Sequence, residues 1–174
     1  MTDTPPTDLP PPAEDAAAVL ARLAPDALYA AEQDMWVRQQ PDGTLLVGAT
    51  HWVAEHGQFM LFTPRQPGAE VQRDWSLGVM ETAKTAVAIH APVSSRVLEF
   101  NPAVVEDVGL VARDPYGAGW LFRVQPLAWA EERGALLDAA SYAGWAVPRL
   151  ASLKARPIAD QFNEDLSVDP HRGY

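Results

Sequence analysis

Between Met35 and Val124 the apolar residues come in short runs, and a turn signal interrupts each run before it reaches ordinary helix length. That punctuation restricts the middle of the chain to strands and very short helices. "MWVRQQ" (35–40), the turn Pro41-Asp42-Gly43 and "TLLVGA" (44–49) read as two strands joined tightly. "THWVAEH" then predicts a brief helix with Thr50 as N-cap and Gly57 as its stop. "QFMLFTP" (58–64) is a further strand ended by Pro64, followed by a turn at Pro67-Gly68. "SRVLEF" (95–100) is another strand. In "NPAVVEDVG" (101–109), Asn101 caps a short helix, Pro102 takes its first position and Gly109 stops it. "DPYGAG" (114–119) is a turn cluster ahead of a last strand, "WLFRV" (120–124).

The flanks are helical. Val19, Leu20 and Leu23 recur at helical spacing until Pro25, which predicts a short helix leading into the domain. "PLAWAEERGALLDAASYAGW" (126–145) predicts a C-terminal helix that runs on through Gly134, because Leu136, Leu137 and Ala140 continue its apolar face. The expected fold is therefore mainly β with short helices, a sandwich or barrel-like domain. Residues 1–12 carry five prolines among Thr and Asp, a composition that predicts disorder. The chain then divides into an N-terminal extension (1–25), a domain (26–150) and a C-terminal extension (151–174).

Charge and composition exclude several functions. The net charge is −10, of which −6 falls on residues 26–150, and phosphate recognition needs clustered Lys and Arg instead. No nucleic-acid partner is expected. No run approaches the roughly 18 apolar residues of a membrane span, and "MTDTPPTDLPPP" lacks the basic and apolar regions of a signal peptide. The expected location is the cytoplasm, away from membranes. Cysteine is absent, which removes disulfides, thiolate metal sites and a Cys nucleophile, so any thiol chemistry has to come from a cofactor or a partner.

The usual catalytic constellations are missing too. His51 and His56 stand five apart, whereas two ligands on one helix face need a spacing of four, and no metal site is expected. Ser94 and Ser95 lie in no "GxSxG" elbow. "GAGW" is neither a P-loop nor a dinucleotide fingerprint, and the six tryptophans are more simply packing residues than a base-stacking surface.

Lys84 is what remains. Eleven of the thirteen Lys and Arg residues are arginine, yet a lysine stands between Ala83 and Thr85 inside an apolar stretch. Val79 and Ile89, Met80 and Ala88, and Glu81 and Val87 lie symmetrically about it. A hairpin centred on Lys84 would set these pairs across from one another and expose the lysine at the tip, although no Asn-Gly turn marks it. A solvated surface lysine is the plain reading. The functional one is a primary amine presented for acylation, a reaction closed to the guanidinium of Arg because it stays protonated. Carboxylated cofactors such as lipoate and biotin need such an amine on a rigid support.

Several segments, in order along the chain, carry a resemblance. They are Tyr29, Trp36-Val37-Arg38, Asp42-Gly43, Val47-Gly48, Gly78, Glu81-Thr82-Ala83-Lys84-Thr85, "APVS" (91–94), "VLEFN" (97–101) and "LVARDPYGAGWLFRV" (110–124). Together they resemble the H protein family of the glycine cleavage system, over about residues 29–142. The resemblance implies a barrel-sandwich hybrid, lipoyl-domain-like fold with a C-terminal helix, in a monomer. It implies lipoate in amide linkage on Lys84, with Glu81, three residues earlier, supporting recognition by the lipoylating enzyme. It also implies a non-catalytic carrier that shuttles the aminomethyl group of glycine between glycine decarboxylase, an aminomethyltransferase and dihydrolipoyl dehydrogenase.

The chain also departs from the family pattern. Asp34-Met35-Trp36 stands where His-Glu-Trp is usual, and Thr82-Ala83 where Ser-Val is usual. "HGQFMLFTPRQPGAEVQRDW" (56–75), with Arg65 and Arg73, replaces a more acidic stretch. Two other readings therefore stand beside the first. One is a divergent lipoate-binding carrier of another pathway, such as heterodisulfide-reductase-like sulfur oxidation. The other is an unlipoylated module that binds a partner through the same scaffold.

Overall fold

The computed structural model describes residues 15–155; the proline-rich start, where disorder is expected, lies outside them. Nine strands among these residues are β1 (Leu28–Ala30), β2 (Met35–Gln39), β3 (Leu45–Ala49), β4 (Leu61–Pro64), β5 (Glu70–Val71), β6 (Ser76–Glu81), β7 (Ala86–His90), β8 (Ser95–Phe100) and β9 (Phe122–Pro126). They form two antiparallel sheets, one ordered β1-β2-β3-β9-β8-β5 and a smaller one ordered β4-β6-β7. The helices are α1 (Ala16–Leu20), α2 (His51–Gly57), α3 (Pro102–Glu106), α4 (Leu110–Arg113), α5 (Trp129–Glu132) and α6 (Ala139–Ala155). The expected class, mainly β with short helices and a C-terminal helix, is the one observed.

The central strands are apolar on both faces, for a reason visible in their alternation. Met35, Val37, Leu45 and Val47 point into the main core with Phe62, Leu77, Met80, Val97, Phe122 and Val124. Trp36, between Met35 and Val37, points the other way, into a second cluster with Val19, Tyr29, Trp52, Tyr142 and Ala146. The large sheet thus has the small sheet against one face and helices α1 and α6 against part of the other. Gly48 permits this: a Cβ there would stand 2.5 Å from the fully buried Trp36 ring. The Trp36 Nε1–H donates to the Pro115 carbonyl at 2.9 Å and Arg38 donates to the Tyr116 carbonyl at 3.0 Å, so the "DPYGAG" turn is pinned to β2.

The second cluster makes α1 part of the folded unit, with Val19 fully buried and Asp15 capping its start. Tyr29 stacks on Tyr142 with ring centroids 4.7 Å apart, and the Tyr142 hydroxyl donates to Asp34 at 3.0 Å. Burial, together with the nearby Asp34 carboxylate, pushes the Tyr142 hydroxyl well above the usual phenol range. Burial does the same to Tyr29.

Four expectations need correction. The C-terminal segment is not one helix: α5 passes into a 3-10 turn at Arg133–Ala135, and Leu137 then pairs with Tyr29 in an isolated bridge. Asp138 restarts the helix by accepting the Ser141 N–H at 2.7 Å, and capping chemistry outweighs the continuous apolar face. The new helix runs through Pro148 to Ala155, across residue 150. Secondly, α2 includes Gly57, and its left-handed terminal residue is Gln58, at φ 43°; Thr50 stands at the N-cap without a side-chain cap bond. Thirdly, α3 ends at Glu106 with Asp107 as its C-cap, so Gly109 does not stop it but stands at the start of α4, an element, like β1 and β5, too short to show a sequence period.

The fourth correction concerns the hairpin. Val79 faces Ala88, Met80 faces Val87 and Glu81 faces Ala86, one residue away from the symmetric pairing about Lys84. Side-chain parity explains the shift: Ile89 has to share the inner face with Met80 and Phe62, and a one-residue slip would turn it outward. An irregularity between Ser76 and Gly78 absorbs the offset at the other end. There Asp74 holds the chain, accepting from Gln33 through its side chain and lying 2.7 Å from His90 Nδ1 through its carbonyl. Just past β7, the Ser94 N–H and hydroxyl donate to the two carboxylate oxygens of Glu132 at 2.6 and 2.7 Å.

Two outcomes test this packing and capping. Gly48→Ala should lower stability by about 1–3 kcal/mol through overpacking against Trp36, read as a fall in melting temperature. Hydrogen bonds from Ser141 hold the Asp138 carboxyl below its usual range, so its contribution is complete above the unfolded-state pKa and disappears as pH falls through the folded value. Asp138→Asn should therefore lose less stability than the parent between about pH 5 and pH 2, measured by thermal melts.

Candidate functional site

The chain turns between β6 and β7 through Thr82, Ala83, Lys84 and Thr85. Thr82 closes this loop with both its backbone and its side chain. Its N–H donates to the Thr85 carbonyl at 2.8 Å, and its hydroxyl donates to the same oxygen at 3.2 Å. The hydroxyl also accepts from the backbone N–H of Lys84 at 3.2 Å and of Thr85 at 3.1 Å. A serine or threonine at this place supplies locally what a turn dipeptide such as Asn-Gly would otherwise supply.

Lys84 is exposed, and so are Ala83, Thr85 and Glu81 around it. Glu81 ends β6, its carbonyl accepting the Met60 N–H at 2.7 Å, and lies in a row with Leu61 and Ala86. The two residues singled out from the sequence thus share one end of the small sheet. The side chains on either side of Lys84 are small, one carbon at Ala83 and a short hydroxyl at Thr85, and both are exposed. Beneath it, Met80, Leu77 and Ile89 are buried in the main core, so the tip stands on rigid strands. The arrangement presents a primary amine on a long stem from a fixed base.

The role of Thr82 is not evident from residue type, because its hydroxyl acts only once the loop is closed. Signals for it exist in the spacing to Lys84 and Thr85, two and three residues on. By contrast, the other residues that mark the resemblance are scaffold. Trp36, Arg38, Gly48 and Tyr116 meet around the second cluster, where His51 Nδ1 lies 2.9 Å from the Tyr116 hydroxyl. Ser94 is engaged by Glu132 and by the Arg73 N–H, and Ser95 is buried. Among the described residues no group of three or more His, Cys, Asp or Glu is placed to hold a metal ion, and no helix is long and apolar enough to cross a membrane.

The comparisons with known proteins agree in one direction. The family model described as "Glycine cleavage H-protein" matches residues 28–147. A glycine cleavage system H protein from Halorhodospira halophila is 37% identical over 119 residues, covering 68% of this chain and 91% of that protein. One from Marinobacter nauticus is 38% identical over 120 residues, covering 68% and 92%. The crystal structure of a glycine cleavage system H protein from Mycobacterium marinum superposes with a TM-score of 0.62 at 36% identity, covering 71% of this chain and 98% of that one. These matches give no support to a carrier of another pathway. With residues 28–147 matched and the same barrel-sandwich fold, the chain belongs to the glycine cleavage H-protein family.

Proposed function

We propose that the protein is the lipoyl carrier of a glycine cleavage system and that Lys84 is its attachment residue. The observation that carries this reading is an exposed lysine on a Thr82-closed hairpin tip, in a chain of the H-protein family. The residues fit an acyl group: the flanking Ala83 and Thr85 are small and exposed, and nothing bulky follows on β7 until Val87. In the attachment step the deprotonated Nζ attacks the carbonyl carbon of adenylate-activated lipoate. The C–N amide bond forms, AMP leaves with the bonding electron pair, and the amine gives up its proton to solvent or enzyme. An arginine in place of Lys84 could not do this.

Once bound, lipoate supplies a disulfide–dithiol couple able to carry the aminomethyl unit of glycine, chemistry that a chain without cysteine lacks. What the chain itself contributes is positioning. Thr82 fixes the loop, and buried Met80 and Ile89 fix the strands, so the flexible element is confined to the lysine stem and whatever it carries. Glu81 is the recognition residue beside it. The protein acts as a non-catalytic subunit, and the working partners are glycine decarboxylase, the aminomethyltransferase and dihydrolipoyl dehydrogenase.

Intact mass of protein from a lipoate-proficient host should show one lipoyl-sized adduct, abolished in Lys84→Arg. An adduct that survives the substitution rules Lys84 out. The lipoylated protein should support glycine–CO2 exchange by glycine decarboxylase; a lipoylated protein that fails to do so serves another multienzyme system. Thr82→Ala should keep the melting temperature within a few degrees, since each exposed hydrogen bond contributes only about 0.5–1.5 kcal/mol. It should nonetheless speed amide exchange at Lys84 and Thr85 and slow lipoylation.

A further inference from the structure

Outside the arm and its tip, the outer face of the small sheet has a composition that the fold does not require. Strand register places Leu61, Glu81 and Ala86 in one row and Thr63, Val79 and Ala88 in the next, on the same face. All but the half-buried Val79 are exposed, and Glu81 is the only charged group among the six. At the tip end of β4, Met60 is 68% exposed and Leu61 47%. The chain as a whole carries −10, so a nearly uncharged apolar face is a departure from its surroundings. Among the described residues β7 is also an edge strand: it pairs with β6 alone and carries no Lys, Asp, Glu or Pro to guard that edge.

We infer that this face, Leu61, Thr63, Val79, Glu81, Ala86 and Ala88, is the docking surface for the enzyme that acylates Lys84. The inference rests on the lipoyl-carrier reading. Reach selects the occupant. Enzymes that act on the distal end of a loaded arm can work at a distance from the hairpin. The attaching enzyme meets Lys84 with only its own four-carbon stem, so its surface has to come down onto the tip and the strands that continue from it. The face is continuous with that tip, because Glu81 and Ala86 directly flank the loop. The matching partner surface is apolar with one cation set against Glu81, and small Ala86 and Ala88 let it approach the β7 backbone.

The test uses unmodified full-length protein, a purified lipoate-activating ligase, lipoate and ATP, with intact mass as the readout. Leu61→Asp and Ala88→Arg should each lower the second-order rate of adduct formation roughly tenfold while leaving the melting temperature unchanged. Leu127→Asp should stay near the wild-type rate: it is 50% exposed, but its N–H is bonded to Ser94, beyond the root of β7. Face variants modified at the wild-type rate would overturn the docking surface and leave the carrier reading intact. A wild-type protein that takes no adduct would overturn both. If light scattering shows that Leu61→Asp dissolves a dimer without changing the rate, the face belongs to a second copy and the inference fails.

Discussion

Trp36 lies against Gly48 with no space for a methyl group between them, and the two hydrophobic clusters are tied together at that contact. Its neighbours Met35 and Val37 face the sandwich core, while the indole faces the helices, so β2 belongs to both clusters. The indole N–H and the adjacent Arg38 then hold the turn that precedes β9. Because β3 and β9 are neighbours in the large sheet, the same contact helps set the register on which the opposing small sheet packs. A side chain far from Lys84 in sequence therefore supports the platform from which Lys84 projects.

Rigidity and reach are separated in this protein. The strands that carry the tip are buried through Leu77, Met80 and Ile89, and the loop is closed by the backbone and hydroxyl of Thr82. A carrier that visits several enzymes needs this separation, since a wandering base would spread the arm over positions that no active site can use.

The sequence exposed the strand content readily, because turn residues divide the apolar runs; it also exposed the lysine, because arginine is otherwise so strongly preferred. It exposed the α3 cap as well: Asn101 accepts from Ala103 as its position before Pro102 implies. Register was less legible. Symmetry about Lys84 is a pattern of residue types, whereas pairing is decided by which residues reach the core, and Ile89 decides it here. The break at Asp138 was hidden because apolar periodicity continues across it, and only the Tyr29–Leu137 bridge shows why the helix has to stop and restart. Exposure at Met60 and Leu61 was equally hidden, since an apolar run does not say which of its members face water.

The clasp between Ser94 and Glu132 has a mechanical meaning. The β6–β7 hairpin is a cantilever, projecting at Lys84 and anchored where β7 ends, by Asp74 with Gln33 and His90 and by Glu132 on Ser94. Load applied to the projecting end is felt as torque at the root. Stiffness at the tip is thus set partly by a glutamate on α5 that stands 48 positions along the chain from Lys84, and the aim of the lysine can be altered without touching any residue beside it.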